Sequence, residues 1–126
     1  MRTHKYLLAI FLLLNFTSVF AFGSMYSQSE FERNVEKGGV VLLHIHADWC
    51  STCRAQDKIL KSLMDNNNYP GLTIMEINFD TQKDLLKKYN VRYQSTLVLF
   101  RGNKELGSLT AKRNISAIRS LLDKSK

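Results

Sequence analysis

Val40-Val41-Leu42-Leu43-His44-Ile45 limits what this chain can fold into more than any other segment. A strand with one face in water alternates apolar with polar residues, and this β-branched run is almost continuously apolar. Such a strand must be covered on both faces, as a central strand between two layers of helix is. The sequence supplies the covering helices. Ser29–Lys37 reads as the first, with Ser29 and Glu32 placed for a capping box and Gly38-Gly39 to stop it. A longer helix runs from the cysteines to about Asp65, with Ala55, Ile59, Leu60 and Leu63 along one side. Lys83–Tyr89 forms a short helix buried through Leu85, Leu86 and Tyr89. A last helix, capped by Asn114, turns Ile115, Ile118, Leu121 and Leu122 inward.

Leu72–Phe79 and Thr96–Phe100 are two further strands, and Gly102-Asn103 turns the chain into an edge strand at Glu105–Leu109. The order α-β-α-β-α-β-β-α predicts an α/β fold: a four-stranded mixed central sheet flanked by helices on both faces. A reacting group belongs at the carboxyl end of the Val40–Ile45 strand, which is where the cysteines lie.

Ahead of this domain, Arg2, His4 and Lys5 precede an apolar stretch, Tyr6–Phe16, and then Val19-Phe20-Ala21. That is the layout of a secretory signal peptide cleaved after Ala21. The stretch is short for a membrane span of ~20 residues and is broken by Asn15, Thr17 and Ser18. Residues 1–21 are therefore expected to be a signal, and residues 22–126 one exported domain, in a bacterial periplasm and monomeric. The net charge of +7 falls to +5 without Arg2 and Lys5. The cations are scattered, only Lys83, Lys87, Lys88 and Arg92 grouping loosely, and they are not interleaved with aromatics as a nucleic-acid platform requires. No nucleic-acid partner is expected.

Cys50 and Cys53 are the only cysteines. As a structural staple the pair is poor, because a bridge across two residues restricts the unfolded chain far less than one closing a loop of ~15 residues. As a switch it is good, since both sulfurs stay within reach of each other in either redox state. A strand hands over to a helix here, so Cys50 falls at a helix N-terminus, where free N–H groups and the helix dipole favour a thiolate; Arg54 adds to this. Cys50 is thus the expected nucleophile, and Cys53, inside the first turn, the thiol that resolves the mixed disulfide.

Ala47-Asp48-Trp49-Cys50-Ser51-Thr52-Cys53-Arg54, then Ile77-Asn78-Phe79-Asp80, then Tyr89-Asn90-Val91-Arg92 leading into Thr96-Leu97-Val98-Leu99-Phe100 resemble the thioredoxin family, and the likeness spans the whole mature chain. The resemblance implies the thioredoxin fold and a dithiol enzyme acting on protein disulfides or thiols with no bound cofactor, served by a membrane or soluble redox partner. It also implies that Trp49, Gln94, Ser95 and Thr96 border a substrate groove. Three positions depart from the family pattern. Ser51-Thr52 replaces the usual dipeptide between the cysteines. His44 stands where many thioredoxins keep a buried Asp, and Glu76 where its Lys partner sits, so the acid–base pair appears with charges exchanged. Ser95 stands where a cis-proline is usual.

His44 and Glu76 are accordingly candidates for proton handling at Cys53, the alternative being a core histidine satisfied by a backbone carbonyl. Ser95 is either a tolerated strand-entry residue or a determinant of the groove. His44 and His46 share a strand face near two thiols, which raises a rival function: a copper or zinc carrier using Cys50, Cys53 and a histidine. A binding protein whose disulfide no longer turns over is a third possibility.

Overall fold

The computed structural model describes residues 23–126. The expected signal segment, 1–21, lies outside the described residues. The elements in chain order are β1 (Ser24–Met25), α1 (Gln28–Glu36), β2 (Val40–His46), α2 (Ser51–Asp65), β3 (Leu72–Asn78), α3 (Lys83–Lys88), β4 (Thr96–Arg101), β5 (Lys104–Thr110) and α4 (Ile115–Leu122), followed by a single 3-10 turn over Asp123–Ser125. The sheet order is β1-β3-β2-β4-β5. β2 runs parallel to β3 and antiparallel to β4, so the sheet is mixed and β2 is its centre.

Alternation along β2 divides the interior into two layers. Val41, Leu43 and Ile45 join Met75, Ile77, Val98 and Phe100 on the face that receives Phe31 of α1 and Leu86 of α3. Leu42 joins Ile74, Leu97 and Leu99 on the other, beneath Leu60 and Leu63 of α2 and Ile118, Leu121 and Leu122 of α4. Each fully buried side chain of this size contributes about 1.5–3 kcal/mol. Phe31, Tyr26, Tyr89 and Phe100 add edge-on aromatic contacts, with Phe31 and Phe100 centroids 5.5 Å apart at 87°.

Four features differ from the sequence reading. The sheet has a fifth strand, β1, two residues that pair in parallel with Met75 and Glu76 of β3. A strand this short carries no periodicity to detect. Because β1 delivers the chain through the Tyr26 N–H to Glu76 carbonyl bond, α1 starts early and its cap is Ser27, whose hydroxyl accepts from Glu30 N–H, in place of Ser29. Asn114 occupies the N-cap position of α4, but its side-chain amide donates to Ser116 Oγ instead of capping the helix. Ile115 is 42% exposed at the first position of α4, where the helix begins. Among the described residues no helix is long and apolar enough to cross a membrane.

Candidate functional site

β2 ends at His46, and Ala47-Asp48-Trp49 carries the chain over the sheet edge into α2. Cys50 is the N-cap of that helix, in extended conformation (φ −87°, ψ 107°), and its sulfur accepts the Cys53 N–H at 3.1 Å. A first-turn N–H with no intrahelical partner is thus satisfied by sulfur. The two cysteines lie at disulfide distance, with Cα atoms 5.3 Å apart. They are not equivalent. Cys50 retains 5% exposure and Cys53 none, the Cys53 sulfur facing the Ile45 carbonyl at 3.8 Å. Trp49 stands beside them 59% exposed, its indole N–H donating to Asp80 at 2.9 Å and its ring set edge-on to Phe79. Arg54 donates to the Asp48 carbonyl at 2.7 Å.

The other wall is the segment before β4. Its Gln94–Ser95 peptide is trans, and Ser95 is left-handed at φ 54°. That conformation costs a non-glycine residue about 1–2 kcal/mol, so contacts must hold it. Its N–H donates to the Ile45 carbonyl at 2.8 Å, and its carbonyl accepts from Ala111 N–H and from the Gln56 amide. The Ser95 N–H is therefore already committed to the fold. Thr96 is also engaged, donating to the Tyr93 carbonyl at 2.7 Å and meeting Thr110 across the strand pair. Gln94 is half-buried on the same loop. Trp49 adjoins Cys50 in the chain and Ser95 meets the same Ile45 carbonyl that the Cys53 sulfur faces, while the Thr96 side chain turns to Tyr93 and Thr110.

Beneath α2 the polar residues form one cluster. His44 is buried, its Nε2 3.0 Å from Gln56 Oε1 and its Nδ1 3.3 Å from Asp57 Oδ1. His46 meets the other Asp57 oxygen at 3.0 Å through Nε2 and Glu76 at 3.6 Å through Nδ1. The expected pairing of His44 with Glu76 is corrected here. The two residues are in register across β2 and β3, but Glu76 leans along its strand to His46, and α2 lowers Gln56 and Asp57 onto His44. Asp57 Oδ1 is buried without a hydrogen bond, since the His44 contact lacks the alignment for one. Burial pushes the Glu76 carboxyl above the ordinary carboxylate range, outweighing the opposite pull of His46 and His44.

Gln56 and Asp57 went unrecognised in the sequence, and a signal for Gln56 was there. The buried stripe of α2 is Cys53, Gln56, Leu60 and Leu63, with Ala55 and Ile59 only partly buried. A glutamine in step with two leucines is a polar group headed inward. The arrangement can hold two sulfurs in either redox state. Among the described residues no group of three or more His, Cys, Asp or Glu side chains is arranged so that it could hold a metal ion.

Comparison with known proteins follows the same lines. The family model described as Thioredoxin matches residues 24–124. The crystal structure of Trxlp from Edwardsiella tarda EIB202 aligns with a TM-score of 0.75 at 33% identity, covering 79% of this chain and 96% of that one. Thioredoxin of Chlamydia pneumoniae is 30% identical over 86 residues, covering 68% of this chain and 82% of its own length. Thioredoxin-like protein 1 of Schizosaccharomyces pombe is 26% identical over 76 residues, 60% of this chain, which spans 26% of that longer protein.

Proposed function

We propose a specific task for this chain, which belongs to the thioredoxin family and is a thiol–disulfide oxidoreductase: the Cys50–Cys53 couple exchanges with disulfides or thiols of other proteins outside the cytoplasm. The basic start and apolar Tyr6–Phe16 stretch support export. The asymmetry of the pair, Cys50 at the helix cap and Cys53 sealed behind it, carries the reading.

In the reducing direction the Cys50 thiolate attacks a substrate sulfur, forming a mixed disulfide and releasing one substrate thiolate. Cys53 then loses its proton and attacks Cys50 Sγ, expelling the second substrate thiolate and leaving the intramolecular disulfide. Two electrons pass from the enzyme dithiol to the substrate disulfide. A thiol-bearing redox partner restores the dithiol, and run backwards the same steps oxidise a substrate. His44 and Glu76 handle the Cys53 proton as members of the cluster with Asp57 and His46. Trp49 and the Gln94–Thr96 segment receive the substrate chain.

Cys53→Ser is expected to accumulate a mixed disulfide through Cys50 with a protein substrate, while Cys50→Ser is inert. Non-reducing gels of both variants incubated with oxidised insulin read this directly. Trapping through Cys53, or through neither, would remove the assignment.

A further inference from the structure

Gln56 is fully buried, and each end of its amide is engaged. Nε2 donates to the carbonyls of Ser95 and Lys112, both at 3.0 Å, and Oε1 faces His44 Nε2 at 3.0 Å. A primary amide has two N–H donors and no more. Two carbonyls on one nitrogen fix which way the amide points, and His44 Nε2 must therefore carry the hydrogen it presents to Oε1.

Both donors tie a separate loop to α2. One loop leads into β4 and the other leaves β5, and they meet through the Ala111 N–H to Ser95 carbonyl bond. The two residues of that bond are left-handed without being glycine, Ser95 at φ 54° and Ala111 at φ 57°. Two unfavourable backbone conformations thus face each other across one hydrogen bond. The Ile45 carbonyl receives the Ser95 N–H at 2.8 Å and lies 3.8 Å from Cys53 Sγ.

We propose that Gln56 is the positioning residue of this site's substrate-facing edge, holding the Ser95 and Lys112 segments in their left-handed arrangement beside Cys53. The proposal rests on the reading that the pair exchanges with protein disulfides. Gln56 touches neither sulfur; it acts through Ser95. A small disulfide needs access only to Cys50, whereas a protein disulfide brings a backbone that must lie along the edge. Gln56 therefore governs the second class of substrate and not the first.

Gln56→Met keeps side-chain length and removes every polar bond. Gln56→Glu keeps an acceptor for His44 but replaces both donors with a carboxylate oxygen that repels the Ser95 and Lys112 carbonyls, and it serves where the Met variant fails to fold. In the oxidised full chain, amide hydrogen exchange at Ser95 and Ala111 is expected to accelerate about tenfold or more, with α1 and β3 unchanged. In turnover, KM for insulin is expected to rise about tenfold with Gln56→Glu, which keeps the His44 contact, while kcat and the rate with the small disulfide dithionitrobenzoate stay within about twofold. Adding Ser95→Gly, which adopts positive φ freely, is expected to restore part of the insulin KM. Unchanged exchange at Ser95 and Ala111 would overturn the proposal, as would equal losses with insulin and dithionitrobenzoate. Should the parent chain fail to reduce insulin, the functional reading falls, and the exchange measurement alone decides the role of Gln56.

Discussion

Toward α1 and α3, β2 sends Val41, Leu43 and Ile45 into a layer with aromatic neighbours; toward α2 it sends Leu42 and then two histidines. The same strand, in one hydrogen-bonded register, builds a wholly apolar interior on one side and a polar one on the other. The polar patch is confined to the end of the sheet where the cysteines sit. Farther along the same face, Leu42, Leu97 and Leu99 meet Leu60, Leu63 and Ile118 in the ordinary way. Burying His44, His46, Gln56 and Asp57 costs stability wherever a partner is missing, as at Asp57 Oδ1. The apolar layer offsets that cost, and in the proposed function the polar end serves the chemistry.

Cutting into the apolar layer gives the largest expected effect. Leu43→Ala removes a fully buried side chain and is expected to lower stability by about 2–5 kcal/mol in urea unfolding, with alkylation of reduced Cys50 unchanged. An equal change in Cys50 reactivity would show that the two layers are not separable.

Ser95→Pro comes next. Proline requires φ near −65° and has no N–H, whereas Ser95 sits at φ 54° and donates to Ile45. The variant is expected to lose roughly 1–3 kcal/mol from the unpaired carbonyl alone, and more unless the loop rearranges. A variant as stable as the parent would mean that this loop readily takes up a second arrangement.

His44→Leu exchanges a polar centre for an apolar one and strands Gln56 Oε1. A loss of about 1–3 kcal/mol is expected, together with slower resolution of the mixed disulfide and an altered pH profile between pH 5 and 9. Stopped-flow resolution rates that match the parent at every pH would reduce His44 to a packing residue.

The smallest effect has the opposite sign. Burial raises the folded Glu76 carboxyl above its ordinary value of 4.5, so folding takes up a proton between the two values. The ionised form then costs stability at every pH above the raised value. Glu76→Gln removes that cost and is expected to be more stable than the parent at pH 7, by less than about 1 kcal/mol. The advantage fades as pH falls through the raised value and is gone below 4.5. Thermal melts across pH 4–8 test this, and a variant less stable at pH 7 would show that the His46 contact outweighs burial.

The two layers also differed in how far the sequence revealed them. Apolar periodicity located β2 to β5 and all four helices to within a residue or two, because burial selects residue type position by position. β1 escaped since it is held by two backbone pairings and no pattern. In the site, Cys50 and Cys53 were legible from spacing and from the strand–helix handover. The partners of His44 were not. Its register neighbour in the sheet is Glu76, but which carboxylate meets which ring depends on how α2 sits over the sheet. Periodicity does not encode the rotation of one helix. Ser95 was marked as unusual by its residue type, while its left-handed backbone and its clamp by Gln56 are long-range facts, 39 residues apart in sequence.

Alkylation of the reduced chain by iodoacetamide, followed site by site by mass spectrometry, tests the division of labour between the two thiols most directly. The helix cap and the slight exposure of Cys50, against the complete burial of Cys53, lead to one result: Cys50 labels readily well below pH 8.5, where an unperturbed thiol only begins to ionise appreciably, and Cys53 labels slowly. Equal labelling of the two cysteines at every pH would contradict the assignment of attack to Cys50 and resolution to Cys53.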